Sequence, residues 1–164
     1  MSVPELQIFP ERADQPQVRA MLDALDAYLA SLYAPEDNHI LGMQALLAPE
    51  VCFLVARDAD AGLLGCGAFR RMPAEAATDG QPYVEIKRMY VEPAARGQRI
   101  AARLLERLEQ VAAREGTALA LLETGRDQHE AVRLYERLGY RRRGPFAGYP
   151  DNGLSVFYAK RLLP

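Results

Sequence analysis

The segment MYVEPAARGQRIA, from Met89 to Ala101, changes from a strand-like to a helix-like pattern within a few residues. It begins with apolar, β-branched and aromatic residues, is interrupted by Pro93, and continues from Ile100 as an apolar helical repeat. A helix N-terminus leaves backbone N–H groups without partners and carries about half a positive charge. The segment therefore predicts a strand-to-helix corner that suits an anion, above all a phosphate group.

The residues at this corner strengthen that interpretation. Gly97 removes a side chain where an anion would approach the backbone, and Arg96, Arg99 and Arg103 add positive charge around it. A turn glycine beside a solvated arginine face is the alternative reading of the same residues. The sequence contains no GxxxxGK[ST] segment, and no GxGxxG follows a strand, which disfavours a P-loop or a dinucleotide-binding fold.

Hydrophobic periodicity predicts the remaining elements. Four-residue and three-residue apolar spacings indicate helices, whereas short apolar runs between polar turns indicate strands. We predict helices over 17–32, 39–47, 100–115 and 127–138, and strands over 6–9, 51–56, 63–69, 83–91, 118–123, 140–142 and 154–160. Asp127 and Glu130 have the spacing of a capping box at the start of the last helix, and Gly139 is placed to end it.

The order of these elements predicts a mixed α/β fold, a single layer of sheet covered by helices. Three strands in antiparallel style precede an alternation of helix, strand, helix and strand. A length of 164 residues is that of one domain, which we place over residues 1–164.

Composition excludes several classes of protein. The formal net charge is −2, so nothing in the overall charge favours binding to nucleic acid or to an anionic membrane. No apolar run reaches about 18 residues and no signal segment opens the chain, so we expect a cytoplasmic protein. Cys52 and Cys66 lie in apolar runs without metal-ligand spacing, which predicts buried free thiols and no metal site.

Two segments of the chain resemble the signatures of the GCN5-related N-acetyltransferase family. The run from Arg96 to Ala101 resembles its acyl-CoA-binding pattern Q/R-x-x-G-x-G/A, except that Arg99 stands where glycine is most frequent. AVRLYERLGY, residues 131–140, resembles its second signature, and the order of elements is similar over nearly the whole chain. The overall pattern is also similar to small uncharacterised bacterial acetyltransferases.

The resemblance implies the fold of acyl-CoA N-acyltransferases, in which a central, mostly antiparallel sheet with two splayed strands is flanked by helices. Acetyl-CoA would lie between those strands and serve as cosubstrate, without a metal. Its pantetheine arm would pair with the main chain near Met89 and Val91, and a main-chain N–H at Met89 or Tyr90 would hold the thioester oxygen. The pyrophosphate and neighbouring groups would contact Arg96, Gly97, Gln98, Arg99, Ile100, Ala101, Arg103 and Gln128.

The reaction implied is direct attack of a primary amine on the thioester. Glu85, in the middle of a strand, is the first candidate for the base, with an ion pair to Lys87 or a nearby arginine as the alternative. Glu123 is the second candidate. Tyr135 stands at the family's usual general-acid tyrosine, although its spacing also fits a core position.

The acceptor is less determined by the sequence. Asn38, Lys87, Arg88, Glu123 and Tyr149 are the polar residues expected to contact it. Together they suggest a small, polar, amino-acid-like amine. A protein or peptide acceptor and a non-catalytic acyl-CoA-binding module are the alternatives, and a homodimer is compatible with the family.

Overall fold

The computed structural model describes residues 5–163, so both ends of the predicted 1–164 domain lie outside the described residues. The helices are α1 (Pro16–Leu32), α2 (Met43–Leu46), α3 (Ile100–Arg114) and α4 (His129–Arg137). The strands are β1 (Gln7–Pro10), β2 (Val51–Arg57), β3 (Leu63–Met72), β4 (Tyr83–Val91), β5 (Leu119–Gly125), β6 (Arg141–Arg143) and β7 (Ser155–Arg161). Among the described residues no helix has the length and apolar character needed to cross a bilayer.

The strands form one sheet in the order β1-β2-β3-β4-β5-β7-β6. β1 pairs with β2, β5 with β7 and β6 with β7 in antiparallel fashion, whereas β4 and β5 run parallel. The predicted mixed α/β fold with a mostly antiparallel sheet is therefore confirmed.

Contacts divide the chain into two compact units. The first contains the residues up to Phe69 together with Lys87–Leu108, and the second contains Arg70–Ile86 and the residues from Glu109 onward. β3, β4 and α3 each contribute residues to both units. The single-domain assignment stays a prediction.

The core of the first unit is built by α1 against β2 and β3. Pro16 sits in the first turn of α1, where its fixed φ and missing N–H are tolerated. Apolar residues at helical spacing then turn one face of α1 inward. The buried cluster includes Val18, Met21, Leu22, Phe53, Val55, Cys66 and Ala68.

The core of the second unit is aromatic. Phe146 makes edge-to-face contacts with Tyr83, Tyr149 and Phe157, at centroid distances of 5.7, 5.4 and 5.9 Å. Leu121 of β5 is fully buried beside these rings. Because such ring pairs have preferred orientations, the cluster fixes Tyr149 as well as burying apolar area.

Most element boundaries differ from the predicted ones by one to three residues, and the differences at α2 and at the start of α4 have an identifiable cause. The helix predicted over 39–47 is only α2, because Gly42 is extended at φ −74° and ψ 176°. Glycine disfavours a helical conformation there, and four residues are too few to nucleate a longer helix. The predicted capping box of α4 is also wrong: the N-cap is Gln128 and no side chain caps it. Gly139 ends α4 as predicted, at φ +92°.

Candidate active site

The strand-to-helix corner lies in the first unit. Residues Arg96 to Arg99 are exposed between β4 and α3, and α3 begins at Ile100. Gly97 has φ +84°, which favours glycine, and nothing lies within 4 Å of the position that a Cβ on it would occupy. The corner is therefore open at the backbone, as a site for an anion requires.

The backbone at the start of α3 presents N–H groups. The bond from the Arg103 N–H to the Arg99 carbonyl, at 3.0 Å, is the first of the helix. The N–H groups of Ile100 to Ala102 precede it and have no partner within α3. Arg103 is exposed on this first turn. The helix N-terminus and the arginines thus supply partial and full positive charge at one place.

Arg99 departs from ordinary backbone geometry, with φ +61°. Left-handed backbone is unfavourable by roughly 1–2 kcal/mol for a residue with a Cβ. Arg99 therefore has a backbone conformation that favours glycine, and it stands where the acyl-CoA-binding pattern most often has glycine.

Arg96 is held against β4 rather than extended into solvent. Its Nε donates a hydrogen bond to the Val91 carbonyl at 3.1 Å, and its guanidinium lies 5.7 Å from the centroid of the Tyr90 ring. A guanidinium has five N–H donors, so this contact leaves donors that an anion could use.

Hydrogen bonding at the end of β4 fixes the direction of its main-chain groups. The Glu92 N–H donates to the Leu64 carbonyl of β3 at 2.8 Å. Since these groups alternate along a strand, those of Tyr90 also face β3, and those of Met89 and Val91 face away from it. The N–H and C=O groups of Met89 and Val91 therefore point to the side of β4 that is opposite β3.

Lys87 and Arg88 both reach the segment around α1 and α2. The Lys87 Nζ donates to the His39 carbonyl at 3.0 Å, and Arg88 forms an ion pair with Asp26 of α1. Arg88 has φ +59°, its side chain is 6% exposed, and its Nε is buried without a hydrogen-bond partner among the described residues. The left-handed backbone of Arg88 interrupts the two-residue period by which neighbouring side chains of a strand face opposite sides.

Glu85 lies in the second unit, where it is 2% exposed. The Tyr149 hydroxyl donates a hydrogen bond to its Oε2 at 2.5 Å. Burial, followed by the charge of Glu85, raises the pKa of Tyr149, so this phenol stays protonated and remains a donor. Two residues predicted for different roles are thus in direct contact.

Glu123 is the second carboxylate of this unit. Its Oε2 accepts a hydrogen bond from the Ser155 hydroxyl at 2.9 Å, across the β5–β7 pair. Burial first, and then the charge of Glu123, raise the pKa of Tyr135. The Tyr135 ring packs edge-to-face against the Tyr140 ring, with 5.8 Å between the ring centroids.

The structure also identifies positioning residues that the sequence analysis missed. Asp26 pairs with Arg88, and Glu75 accepts hydrogen bonds from the Tyr83 hydroxyl and from the Ala147 N–H of the loop that carries Tyr149. The ion pair of Asp26 joins residues 62 positions apart and the Ala147 N–H lies 72 positions from Glu75, so no local signal marks these two contacts. Asn38, a residue predicted to contact the acceptor, lies at the end of a short 3-10 turn over Pro35–Asp37. As for metal binding, the described residues contain no cluster of His, Cys, Asp or Glu that could hold a metal ion.

Comparisons with known proteins show which family the chain resembles. The sequence model of the acetyltransferase (GNAT) family matches residues 7–140. The chain is 42% identical over 160 residues to the IAA acetyltransferase of Azospirillum brasilense, covering 98% of this chain and all of the relative.

Solved structures show the same similarity. A "putative acyl-CoA N-acyltransferase" of Klebsiella pneumoniae is 34% identical, with a TM-score of 0.76 over 96% of this chain and 98% of that one. An aminoglycoside 6'-N-acetyltransferase crystallised with coenzyme A is 20% identical, with a TM-score of 0.68 over 96% and 98% of the two chains. At that identity the similarity concerns the fold.

Proposed function

Because the chain belongs to the GNAT family of acetyltransferases, we propose that it transfers the acetyl group of acetyl-CoA to a primary amine of a small polar acceptor. The enzyme class follows from the family and from the name of the relative that matches along its full length. That relative is named for acting on IAA, which supports a small-molecule acceptor over a protein one. The observation that carries the proposed amine chemistry is the buried, hydrogen-bonded carboxylate of Glu85.

The first unit would bind the cosubstrate. The open backbone from Gly97 to Ala101 would receive the pyrophosphate, with Arg96, Arg99 and Arg103 neutralising its charge. The main-chain groups of Met89 and Val91 face away from β3, which supports their pairing with the pantetheine arm. The same direction favours the Met89 N–H over that of Tyr90 as donor to the thioester oxygen.

The second unit would supply the proton-transfer groups. The acceptor amine is protonated at neutral pH, so a base must remove a proton before nitrogen can attack the thioester carbon. We assign this role to Glu85, whose carboxylate the Tyr149 hydroxyl orients. The new C–N bond forms as the C–S bond breaks, and the departing thiolate then needs a hydrogen-bond donor.

Tyr135 is the proposed donor to that thiolate. Its raised pKa means that the phenol is neutral throughout the working pH range and gives up its proton only reluctantly. A thiolate whose thiol has a pKa of about 8.5 is a weaker base than this phenolate, so complete proton transfer from Tyr135 to the thiolate is uphill. We therefore assign Tyr135 a hydrogen bond to the leaving sulfur, with the proton supplied finally by solvent, and Gln128 a contact with the cosubstrate.

Each unit contains polar groups that are candidates for contacting the acceptor. We assign the Lys87 ammonium and the Arg88 Nε, which has no hydrogen-bond partner among the described residues, as donors to an acceptor carboxylate, and Asn38 lies in the same unit. Tyr149 and Glu123 would contact its amine-bearing end. The donors Lys87 and Arg88 support an acceptor that carries a carboxylate beside its amine, as an amino acid does.

The decisive experiment is a calorimetric titration with acetyl-CoA. We expect one-to-one binding in the micromolar range, and loss of that binding in the double variant Arg99→Glu, Arg103→Glu. Arg12→Glu with Arg19→Glu makes the same change in net charge on exposed residues outside the corner and should bind normally. Absence of binding by the folded, CoA-free wild type would refute the proposal.

An acceptor screen then separates the acceptor classes. Free amino acids, other small amines and short peptides are offered with acetyl-CoA, and release of the CoA thiol is followed. Higher kcat/KM for a free amine than for any peptide supports a small-molecule acceptor, whereas the reverse order would replace it with a peptide.

A further inference from the structure

We propose that Gly65 is a positioning residue for acetyl transfer. Because it lacks a side chain, it lets β3 approach β4 closely enough to fix the main chain of β4 around Tyr90. The groups fixed in this way are those of Met89 and Val91, to which the function proposed above assigns the arm and the thioester oxygen of acetyl-CoA. The inference rests on that proposed function and adds a residue that touches neither substrate.

The space around Gly65 is closed by the backbone of β4. A Cβ added to Gly65 would lie 2.7 Å from the Tyr90 carbonyl oxygen, and 3.3 Å from both Leu104 Cδ1 and Val91 Cγ2. A Cβ atom essentially never lies within 3.0 Å of a heavy atom outside its own residue and its two chain neighbours. Because the closest atom is backbone, it cannot turn aside without moving its peptide group, and the neighbouring peptide groups would move with it.

Gly67, two residues further along β3, provides a contrast. A Cβ there would lie 2.4 Å from Met89 Sδ and 3.3 Å from Leu108 Cδ1. These atoms are at the far ends of flexible side chains, and methionine has three rotatable bonds with which to move away. The two glycines thus lie on the same strand and in the same unit, but only Gly65 is in close contact with a main-chain atom.

The position of the β4 backbone matters because its N–H and C=O groups can bind acetyl-CoA only if they point towards it. The Glu92 N–H to Leu64 carbonyl bond holds β4 to β3 next to Gly65. A methyl group at residue 65 would therefore push the Tyr90 carbonyl away while this bond keeps the strand end in place, which rotates the peptide groups of Met89 and Val91. A displacement of about 1 Å in groups that orient a reacting atom can lower a rate by about a hundredfold.

The test compares Gly65→Ala with Gly67→Ala, using two ligands. Acetyl-CoA contacts both the corner and the β4 main chain, whereas adenosine 3',5'-bisphosphate has no pantetheine arm. We expect Gly65→Ala to weaken acetyl-CoA at least tenfold, to lower kcat at least tenfold, and to change binding of the bisphosphate less than twofold. Gly67→Ala should stay within threefold of wild type in all three measurements.

Several outcomes would overturn the inference. The first is an unchanged acetyl-CoA affinity and kcat in Gly65→Ala. The second is an equal loss of affinity for acetyl-CoA and for the bisphosphate in Gly65→Ala. The third is a loss in Gly67→Ala as large as that in Gly65→Ala. Absence of acetyl-CoA binding by the wild type would instead remove the proposed function, so the two failures are distinguishable.

Folding is checked by circular dichroism and urea unfolding. Gly65→Ala combined with Val91→Ala removes the Val91 methyl contact but keeps the clash with the Tyr90 oxygen. It should show the same selective loss of acetyl-CoA, and recovery of wild-type affinity would contradict the role given to the Tyr90 carbonyl. If neither variant folds, Gly65 is required for folding and not for positioning, and the inference fails.

Discussion

Two arginines of this chain have a left-handed backbone, a conformation that usually falls to glycine. The sequence gives a signal for this conformation at Arg99, because the acyl-CoA-binding pattern most often has glycine there. Arg88 gives no such signal, since it lies inside a nine-residue strand with regular β-forming neighbours. Its conformation depends on tertiary contacts such as the ion pair with Asp26, which only the structure reveals.

The role of Glu85 is tested by Glu85→Gln. We expect kcat to fall by roughly 10²–10⁴-fold, because the amide cannot accept the amine proton. The affinity for acetyl-CoA should not change, since Gln keeps the size of the side chain and an oxygen for the Tyr149 hydroxyl. Glu123→Gln is the matched control, measured by the same steady-state assay. A larger loss in Glu123→Gln would move the role of base to Glu123.

Tyr135→Phe tests the donor to the leaving thiolate. The ring and its packing against Tyr140 are kept, so we expect unchanged acetyl-CoA affinity and a tenfold or greater fall in kcat. Tyr140→Phe removes a hydroxyl that donates to Glu109 at 2.9 Å and serves as the control. Turnover that falls equally in both variants would indicate loss of packing rather than loss of a catalytic hydroxyl.

At the scale of elements, patterns in the sequence predicted nearly every helix and strand because their apolar periodicity is strong. The boundaries of β4 were predicted to the residue. β3 and β5 extend two or three residues beyond their predicted ends, whereas the errors at Gly42 and at the uncapped start of α4 each depend on a single residue. At these two places the apolar pattern still predicts a helix, but the backbone is not helical there.

The start of α3 offers a test of strain against charge. Arg99→Gly and Arg99→Ala both remove the positive charge, so both should weaken acetyl-CoA binding to a similar extent. Only glycine relieves the left-handed backbone at φ +61°, and its greater entropy in the unfolded chain offsets part of that gain. We expect Arg99→Gly to have a free energy of unfolding about 0.5–1 kcal/mol above that of Arg99→Ala in urea titrations. Equal stability of the two variants would contradict the strain.

The link between β2 and the end of β1 predicts a pH dependence. Arg57 donates two hydrogen bonds of 2.9 Å to Glu11, and this contact lowers the pKa of the Glu11 carboxyl. A lowered pKa in the folded state stabilises the protein above the unfolded pKa of about 4.5, and that stability is lost as pH falls through the folded value.

The variant for this link is Glu11→Gln. At pH 7 we expect its free energy of unfolding to be lower than that of wild type by about 1 kcal/mol, because the pair is partly solvated. The difference should shrink between about pH 5 and pH 3 in urea titrations. A difference that persists at pH 3 would mean that the charge of Glu11 is not its source. Asp14→Asn, in an exposed ion pair with Arg12, serves as the control.

At the scale of the whole molecule, Cys66 reports on unfolding. It is fully buried in the core of the first unit, and burial raises its pKa to about 12. At pH 8 its thiol should be unreactive in the folded protein, because both access and the thiolate are lacking. In a Cys52→Ala background, labelling of Cys66 in increasing urea should follow the same transition as circular dichroism if the chain is one domain. Labelling well below that transition would contradict the single-domain prediction.

The sequence predicted the parts of the candidate site that are local in the chain. The corner from Arg96 to Ala101 could be recognised because its residues are consecutive. The contact between Glu85 and Tyr149 joins residues 64 positions apart, and nothing in either neighbourhood encodes it. Pairs of this kind depend on the sheet register and on the aromatic cluster, so only the assembled fold reveals them.

The bond from Tyr149 to Glu85 also has a spectroscopic consequence. The chain contains eight tyrosines and no tryptophan, so its intrinsic fluorescence is that of tyrosine alone. A phenol that donates to a carboxylate is quenched, because its excited state gives up the proton readily. At least four tyrosines are in that position, namely Tyr83, Tyr140, Tyr149 and Tyr158. Of these, only Tyr149 donates to the carboxylate that we expect an acceptor amine to engage, so its emission offers a label-free signal of acceptor binding in the unmodified protein.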